Sequence, residues 1–366
     1  MTRLRHATLY GAVLGVALII GADRGFALEP GDFGQTLSGA YIGAPIAAPA
    51  PPGLYAALEM FDGPSGRGTG QDLGTTVSVP LWIPTFFWSS GYHILGANLA
   101  MELEVPFYQT ASYPSSGTTL AGNGSGPPFG DTVWFDTIAN TRITPFLLEW
   151  SLGNGWFAAP GLTLIVPDGS RYNGTLNPDY FTAEPRLSVA YLSKDWHLTA
   201  NFLYDINTRS GGHTGTYSLI ANTPFPGFGG VPGFGGTPAG PVIASIGNGY
   251  TSGQEAFLDV AATYQWGKFE IGPVAAFKWQ TTSDSPGGGF TCAEVAALLG
   301  PTLGCGKATN ISVGGLIGYN FGLVDVQAYA TDSVYTKDDY GGWGIFGRLT
   351  FKLWGPEAPT NPMPTK

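Results

Sequence analysis

The chain has 366 residues, of which only 11% are charged, and its formal net charge is −10. An acidic chain without basic clusters is a poor partner for nucleic acid, because phosphate binding needs Lys and Arg in groups. No apolar run after the first 22 residues could cross a bilayer as a helix, so any crossing falls to strands.

The chain opens on Arg3, Arg5 and His6, followed by an uncharged apolar stretch at 9–22 and the small-residue site Gly25-Phe26-Ala27. This is the pattern of a secretory signal, and residues 1–27 are set aside from the fold. Removing them takes away Arg3, Arg5, Arg24 and Asp23, which leaves the remainder at −12. Residues 28–52, with an Ala/Pro-rich stretch from 43, read as a periplasmic lead-in.

From residue 53 the chain alternates apolar and polar side chains. Strands are predicted at 53–61, 72–87, 94–107, 133–150, 155–166, 179–193, 196–208, 251–266, 268–281, 310–321, 323–332 and 342–354. The third shows the logic. Leu95, Ala97, Leu99, Met101, Leu103, Val105 and Phe107 share one face, while Asn98, Ala100, Glu102 and Glu104 share the other. Successive side chains of a strand point to opposite faces, so each segment has an oily and a wet side. The fourth loses its phase near Ile138 to Arg142, which predicts a β-bulge.

Short connections are predicted at Ser89-Ser90-Gly91-Tyr92, Gly153-Asn154, Lys194-Asp195, Gly267 and Gly322. They alternate with long ones at 62–71, 108–132, 167–178, 209–250, 282–309 and 333–341. This predicts an all-β fold: a closed antiparallel transmembrane β-barrel of about twelve strands over 53–354, with short periplasmic turns and long extracellular loops. Both chain ends are then expected in the periplasm, with 355–366 as a tail. Aromatics at 13% suit interfacial girdles, and 56 glycines suit crowded walls and loops.

The wet phase collects a set of candidate lumen-lining residues. The acids are Glu59, Glu102, Glu104, Glu184, Asp205, Glu255, Asp259, Glu270 and Asp325. The bases are Arg142, Arg186, Lys278, Arg348 and Lys352, with His197 beside them. Two arrangements remain open: a salt-bridged plug that stiffens the barrel, or a narrow polar path that selects solutes. Phe225, Phe228 and Phe234, on a repeated Pro-Gly-Phe-Gly-Gly motif in the fourth long loop, are candidate gate or ligand aromatics. Cys292 and Cys305 are expected to form a disulfide, since an exported protein matures under oxidising conditions. No zinc or EF-hand spacing occurs, so no metal or cofactor is expected. The four histidines are His6, His93, His197 and His213, and none is placed beside a lipid-facing Ser, so no enzyme is expected.

Three motifs carry a resemblance. His93-Ile94-Leu95-Gly96-Ala97-Asn98 with Val105-Pro106, Glu184-Pro185 with the alternation through Tyr191, and Tyr204-Asp205-Ile206-Asn207-Thr208 resemble successive strands of one outer-membrane family. It is the family described as "putative MetA-pathway of phenol degradation", and the likeness spans roughly residues 50–354. The resemblance implies passive or facilitated uptake of small hydrophobic or aromatic, phenol-like compounds across the outer membrane. A monomer is expected, with outer-membrane lipid and lipopolysaccharide around it. The alternatives are a narrow porin for polar or charged solutes, and a structural or adhesive barrel acting through its loops.

Overall fold

The computed structural model describes residues 34–68, 71–78, 80–112, 132–169, 178–209, 250–287, 291–293, 305–339 and 341–356. The signal segment and the aromatics Phe225, Phe228 and Phe234 lie outside the described residues.

Sixteen strands follow in chain order: β1 Gly53–Asp62, β2 Pro64–Gly68, β3 Gln71–Ser78, β4 Leu81–Ile94, β5 Ala97–Glu104, β6 Phe107–Ser112, β7 Thr132–Ile138, β8 Thr141–Gly153, β9 Trp156–Val166, β10 Thr182–Leu192, β11 Trp196–Asn207, β12 Glu255–Trp266, β13 Phe269–Gln280, β14 Thr309–Asn320, β15 Val324–Lys337 and β16 Trp343–Trp354. Twelve of them close into a ring, in the order β1, β4, β5, then β8 to β16, with β16 returning to β1. Every pairing is antiparallel, and closure leaves no free sheet edge in the ring. The short β2, β3, β6 and β7 extend two hairpins beyond it at the long-loop end.

The alternation puts apolar side chains outside. Ile143, Phe146, Leu187, Ile271, Ile317 and Ile345 are all exposed on the outer wall. Such a band suits the lipid-facing wall of a transmembrane barrel. Around the short-turn end runs an aromatic girdle, with Trp156 against Tyr191 at 5.0 Å, Trp196 against Tyr264 at 5.3 Å and Phe269 against Tyr319 at 4.6 Å. Rings of this kind place an apolar body and a polar tip at the membrane–water boundary. Among the described residues no helix is long and apolar enough to cross a membrane.

The first hairpin corrects the sequence reading. The turn expected at Ser89–Tyr92 lies at Leu95 and Gly96, whose φ values are 53° and 82°. Ser90, Gly91 and Tyr92 instead form a bulge: the β4–β5 register slips between Ser89 and His93, and Gly91 has φ 74°. The Ser90 hydroxyl donates to the Leu99 carbonyl at 2.6 Å and accepts from the Tyr92 N–H at 3.0 Å, which holds the two extra residues. A tight hairpin needs two consecutive positive φ angles, and a branched Leu pays for one of them. Leu95→Gly should therefore raise the unfolding temperature, for a gain of up to about 1 kcal/mol. A lower transition temperature would contradict this account of the turn.

The predicted disulfide is formed, between Cys292 and Cys305, with Cα atoms 5.4 Å apart. Close by, Asp284 is buried in the same loop, where Tyr250 Oη donates to it at 2.6 Å, Gly253 N at 2.7 Å and Gln280 Nε2 at 2.5 Å. Burial pushes its carboxyl from the ordinary 3.8 up to about 7, against the pull of those donors. An acid whose pKa is raised by folding holds its proton more tightly when folded. The loop packing is thus most stable below about 4 and weakens as pH rises through about 7. Proteolytic nicking of 282–287 should be faster at pH 8 than at pH 5; equal rates would contradict it.

Candidate functional site

Residues 34–50, expected to lead in from outside the barrel, are inside it. Gly34 lies with Asn140 and Pro178 at the long-loop end, and the chain then descends through the lumen to Ala50 beside Ser89 at the short-turn end. The segment is built of turns, with Ala40 N bonded to Leu37 O, Ile42 N to Gly39 O and Ala44 N to Tyr41 O. Its composition explains why it fits. Ala40, Ile42 and Ala47 are buried against apolar wall residues, Ala40 on Leu203 and Phe257, Ile42 on Ala261, Val274, Ala276 and Leu316, and Ala47 on Ala100, Leu147, Ala159 and Ala190.

The predicted inward charges grip this segment. Arg142 pairs with Glu104 at 2.8 Å and with Glu184 at 2.8 Å, and also donates to the Gln35 carbonyl and the Thr36 hydroxyl, each at 3.0 Å. Thr36 donates in turn to Glu184 at 2.6 Å and to Asp205 at 3.3 Å. Tyr41 donates its hydroxyl to Glu104 at 2.7 Å, while the Arg186 guanidinium lies 5.0 Å over its ring and pairs with Glu102 at 3.5 Å. One strand further round, the Asp259 carboxylate accepts from Gly39 N at 3.0 Å and Tyr41 N at 2.9 Å. Arg348 donates to the carbonyls of Ala40 at 2.5 Å and Ile42 at 2.8 Å, and pairs with Glu59 at 3.2 Å. Tyr329 donates to the same Glu59.

These contacts obey one physical rule: a charge taken out of water needs a partner and its remaining lone pairs and protons need bonds. Here the backbone of a turn-rich segment supplies what the opposite side chain does not. Lys278 is held separately, near the long-loop end, by Glu255 at 3.2 Å and Asp339 at 3.4 Å. Glu270 and His197 are half-buried lower down, where Glu270 accepts from Thr263 at 2.5 Å. Asp325 and Lys352 are exposed at the short-turn rim, and Lys352 donates to the Pro356 carbonyl at 2.6 Å.

The segment divides the interior into two chambers. The long-loop chamber holds about 200 Å³ and is lined by apolar Leu37, Phe61, Leu81 and Phe346 together with Arg142 and Lys278. The short-turn chamber holds about 570 Å³ and is lined by Ile46, Tyr55, Phe87 and Phe351 together with Glu149, His197, Glu270 and Lys352. Ala40, Tyr41, Ile83 and Glu104 line both, so they form the floor of one and the roof of the other.

Two groups escaped the sequence reading. Glu149 is buried and accepts from Asn98 at 2.6 Å, although simple alternation from Arg142 would turn it toward lipid. The β8–β9 register slips between Ile143 and Phe146, which reverses the parity of β8 from Phe146 as far as Ser151. Asn201 lies on the predicted wet face and donates to the carbonyls of Tyr41 and Ala44 at 2.8 and 3.2 Å. Only knowledge of what occupies the lumen would have singled it out.

A closed twelve-stranded barrel with an oily wall, an aromatic girdle and a charged interior is the architecture of outer-membrane channels. In sequence, the chain belongs to the family described as "Putative MetA-pathway of phenol degradation", whose model matches residues 61–349. The fold is similar to that of an outer membrane channel from Pseudomonas putida F1, at TM-score 0.60 and 8% identity, covering 84% of this chain and 98% of that one. Weaker likenesses are to the Pseudomonas putida toluene transporter TodX, at TM-score 0.41 and 11% identity over 90% and 98%, and to the outer membrane phospholipase A of Escherichia coli, at TM-score 0.34 and 10% identity over 87% and 99%. No curated protein matches the chain in sequence.

Proposed function

We propose that the protein is an outer-membrane channel for passive entry of small hydrophobic or aromatic compounds, without catalysis. The observation that carries the reading is the interior. Two chambers with partly apolar linings meet at a segment of turns, inside a barrel of a family described by phenol degradation. An aromatic solute gains by leaving water for such a lining, and the concentration gradient then drives it onward. In this reading the short turns face the periplasm and the long loops the outside, so the C-terminal tail is periplasmic. The barrel works as a monomer in a lipopolysaccharide-bearing leaflet.

Passage requires that residues 34–50 yield. Ala47 packs in one apolar cluster with Ala100 of β5, so paired cysteines at these positions would tether the segment to the wall. The expected result is that oxidised Ala47→Cys/Ala100→Cys protein loses toluene flux into proteoliposomes and regains it on reduction. A double variant lacking Cys292 and Cys305 as its background isolates the new bond. Flux unaffected by the tether would sink the luminal route.

A further inference from the structure

We infer that Asp205 holds a proton while the lumen is shut, and that loss of this proton releases residues 34–50, so the lumen opens as pH rises. This rests on the channel reading above and adds a means of regulation to it.

The argument starts from a row of acids. Glu184 of β10 stands opposite Asp205 of β11, in a register that runs from the pair Ala183 and Ile206 to the pair Arg186 and Leu203. Asp205 in turn stands opposite Glu255 of β12. The three residues are 0%, 0% and 1% exposed. Like charges directly opposite one another on a sheet repel, and out of water they repel more strongly. The two ends of the row have bases, Arg142 on Glu184 and Lys278 on Glu255. Both bases are already shared, Arg142 with Glu104 and Lys278 with Asp339. Asp205, in the middle, has no Lys or Arg salt bridge among the described residues. Its Oδ1 accepts from the Thr36 hydroxyl at 3.3 Å, and its Oδ2 meets no donor there.

A proton resolves this arrangement. The carboxyl groups of Asp205 and Glu184 lie within hydrogen-bond reach of each other. Two carboxylates have no donor to share, whereas a protonated Asp205 donates its O–H to Glu184. The groups that face Asp205 are Glu184 on β10, Glu255 on β12, Arg142 from β8 and Thr36 on the luminal segment. Behind them stand Glu104 of β5, on Arg142, and Lys278 of β13 with Asp339, on Glu255. A hydrated metal ion would need open surface at the row, and its three side chains are sealed. Among the described residues no group of three or more His, Cys, Asp or Glu is arranged to hold a metal.

The proton is coupled to the segment through Thr36. Its hydroxyl bridges Glu184 at 2.6 Å and Asp205 at 3.3 Å, and accepts from Arg142 at 3.0 Å. Because Asp205 is shut off from water, its proton reaches solvent only when the segment moves aside. The ionised row is then three adjacent carboxylates, which entering water hydrates and the segment cannot. A proton held in the shut state and given up to water in the open one makes opening rise with pH, by at most about ten-fold per unit.

The test is single-channel recording of the full-length mature protein in planar bilayers from pH 5 to pH 9.5. The expected result is little current at pH 5 and an open fraction that climbs toward pH 9.5. Asp205→Asn, whose amide donates to Glu184 but cannot ionise, should stay shut throughout. Glu255→Gln removes one flanking charge and should keep the lumen shut for about one pH unit more, which tests the inference even if Asp205→Asn does not fold. Asp284→Asn, in the disulfide loop, should open as the unaltered protein does. Conductance independent of pH, a folded Asp205→Asn that still opens, an unshifted Glu255→Gln, or loss of the pH dependence in Asp284→Asn would each overturn the inference. Opening by EDTA at pH 5 would also overturn it, since a metal ion would then hold the row. Toluene flux on the same preparation separates the two readings. Flux with pH-independent conductance removes the proton lock and leaves the channel, whereas pH-dependent conductance without toluene flux at any pH removes the channel reading and leaves the lock.

Discussion

Removing residues 35–48 should turn an occluded barrel into an open pore. In planar bilayers the full-length protein is expected to pass little ionic current, and the deletion variant to show steady ohmic channels. The reason lies in the contacts. The segment fills the space between Arg142, Glu184, Asp259 and Arg348; its backbone bonds Arg142, Asp259 and Arg348, and its Thr36 hydroxyl bonds Glu184. Without it those charges would not be stranded in a dry core, because water would enter and hydrate them. The barrel ring is held by its own strand pairing, including the β1–β16 and β1–β4 closure, and none of that is lost. Mixed charges on the exposed wall should then give the pore a measurable ion preference. Unchanged conductance in a correctly folded deletion would mean that other parts of the chain close the lumen.

Arg142→Met should be the most damaging single change in the lumen. The guanidinium pairs with two carboxylates, Glu104 and Glu184, and also bonds Gln35 and Thr36. Breaking a buried ion pair by removing one partner typically costs about 3–5 kcal/mol, since the remaining charge is left uncompensated. Urea unfolding from lipid vesicles should register a loss of that size. Adding Glu184→Gln should recover part of it, because one stranded charge is then neutral. Lys352→Met at the exposed rim should change stability little. A tolerated Arg142→Met would show that water already reaches the cluster.

Much of the wall could be read from residue order alone. The face that carries Glu102 and Glu104 is the buried one, and the face that carries Leu103 is exposed, as a period of two demands. The two-residue connection at Lys194–Asp195 and the turn at Gly267 stand where the pattern breaks. The errors have local causes. Glycine at 91 signalled a turn, but the same positive φ serves a bulge, and neighbouring residues cannot tell which. Glu149 was hidden by a one-residue slip that no composition reveals. The predicted loops at 62–71 and 108–132 partly continue as the hairpins β2–β3 and β6–β7.

The largest difference concerns residues 34–50. Small residues and prolines without periodicity suggest a flexible connector, and such stretches commonly are. Here the same smallness lets Ala40 and Ala47 pass between wall side chains, with Ile42 as the apolar anchor. The wet phase of the wall gave the charges, but not their partner. Whether the inward groups formed a plug or lined a path depended on a segment whose own sequence carries no charge between 34 and 50. The long-range bonds from Asn201 and Arg348 to its carbonyls are visible only in the fold.

The central claim is that the barrel admits aromatic solutes and not polar ones. Solute flux into proteoliposomes holding the refolded mature chain tests it most directly, comparing toluene and 4-methylphenol with glucose and potassium chloride. The account predicts faster entry of the aromatic pair over protein-free vesicles, with glucose and salt unchanged. Faster entry of glucose or salt with no gain for the aromatics would contradict it and make the protein a polar porin.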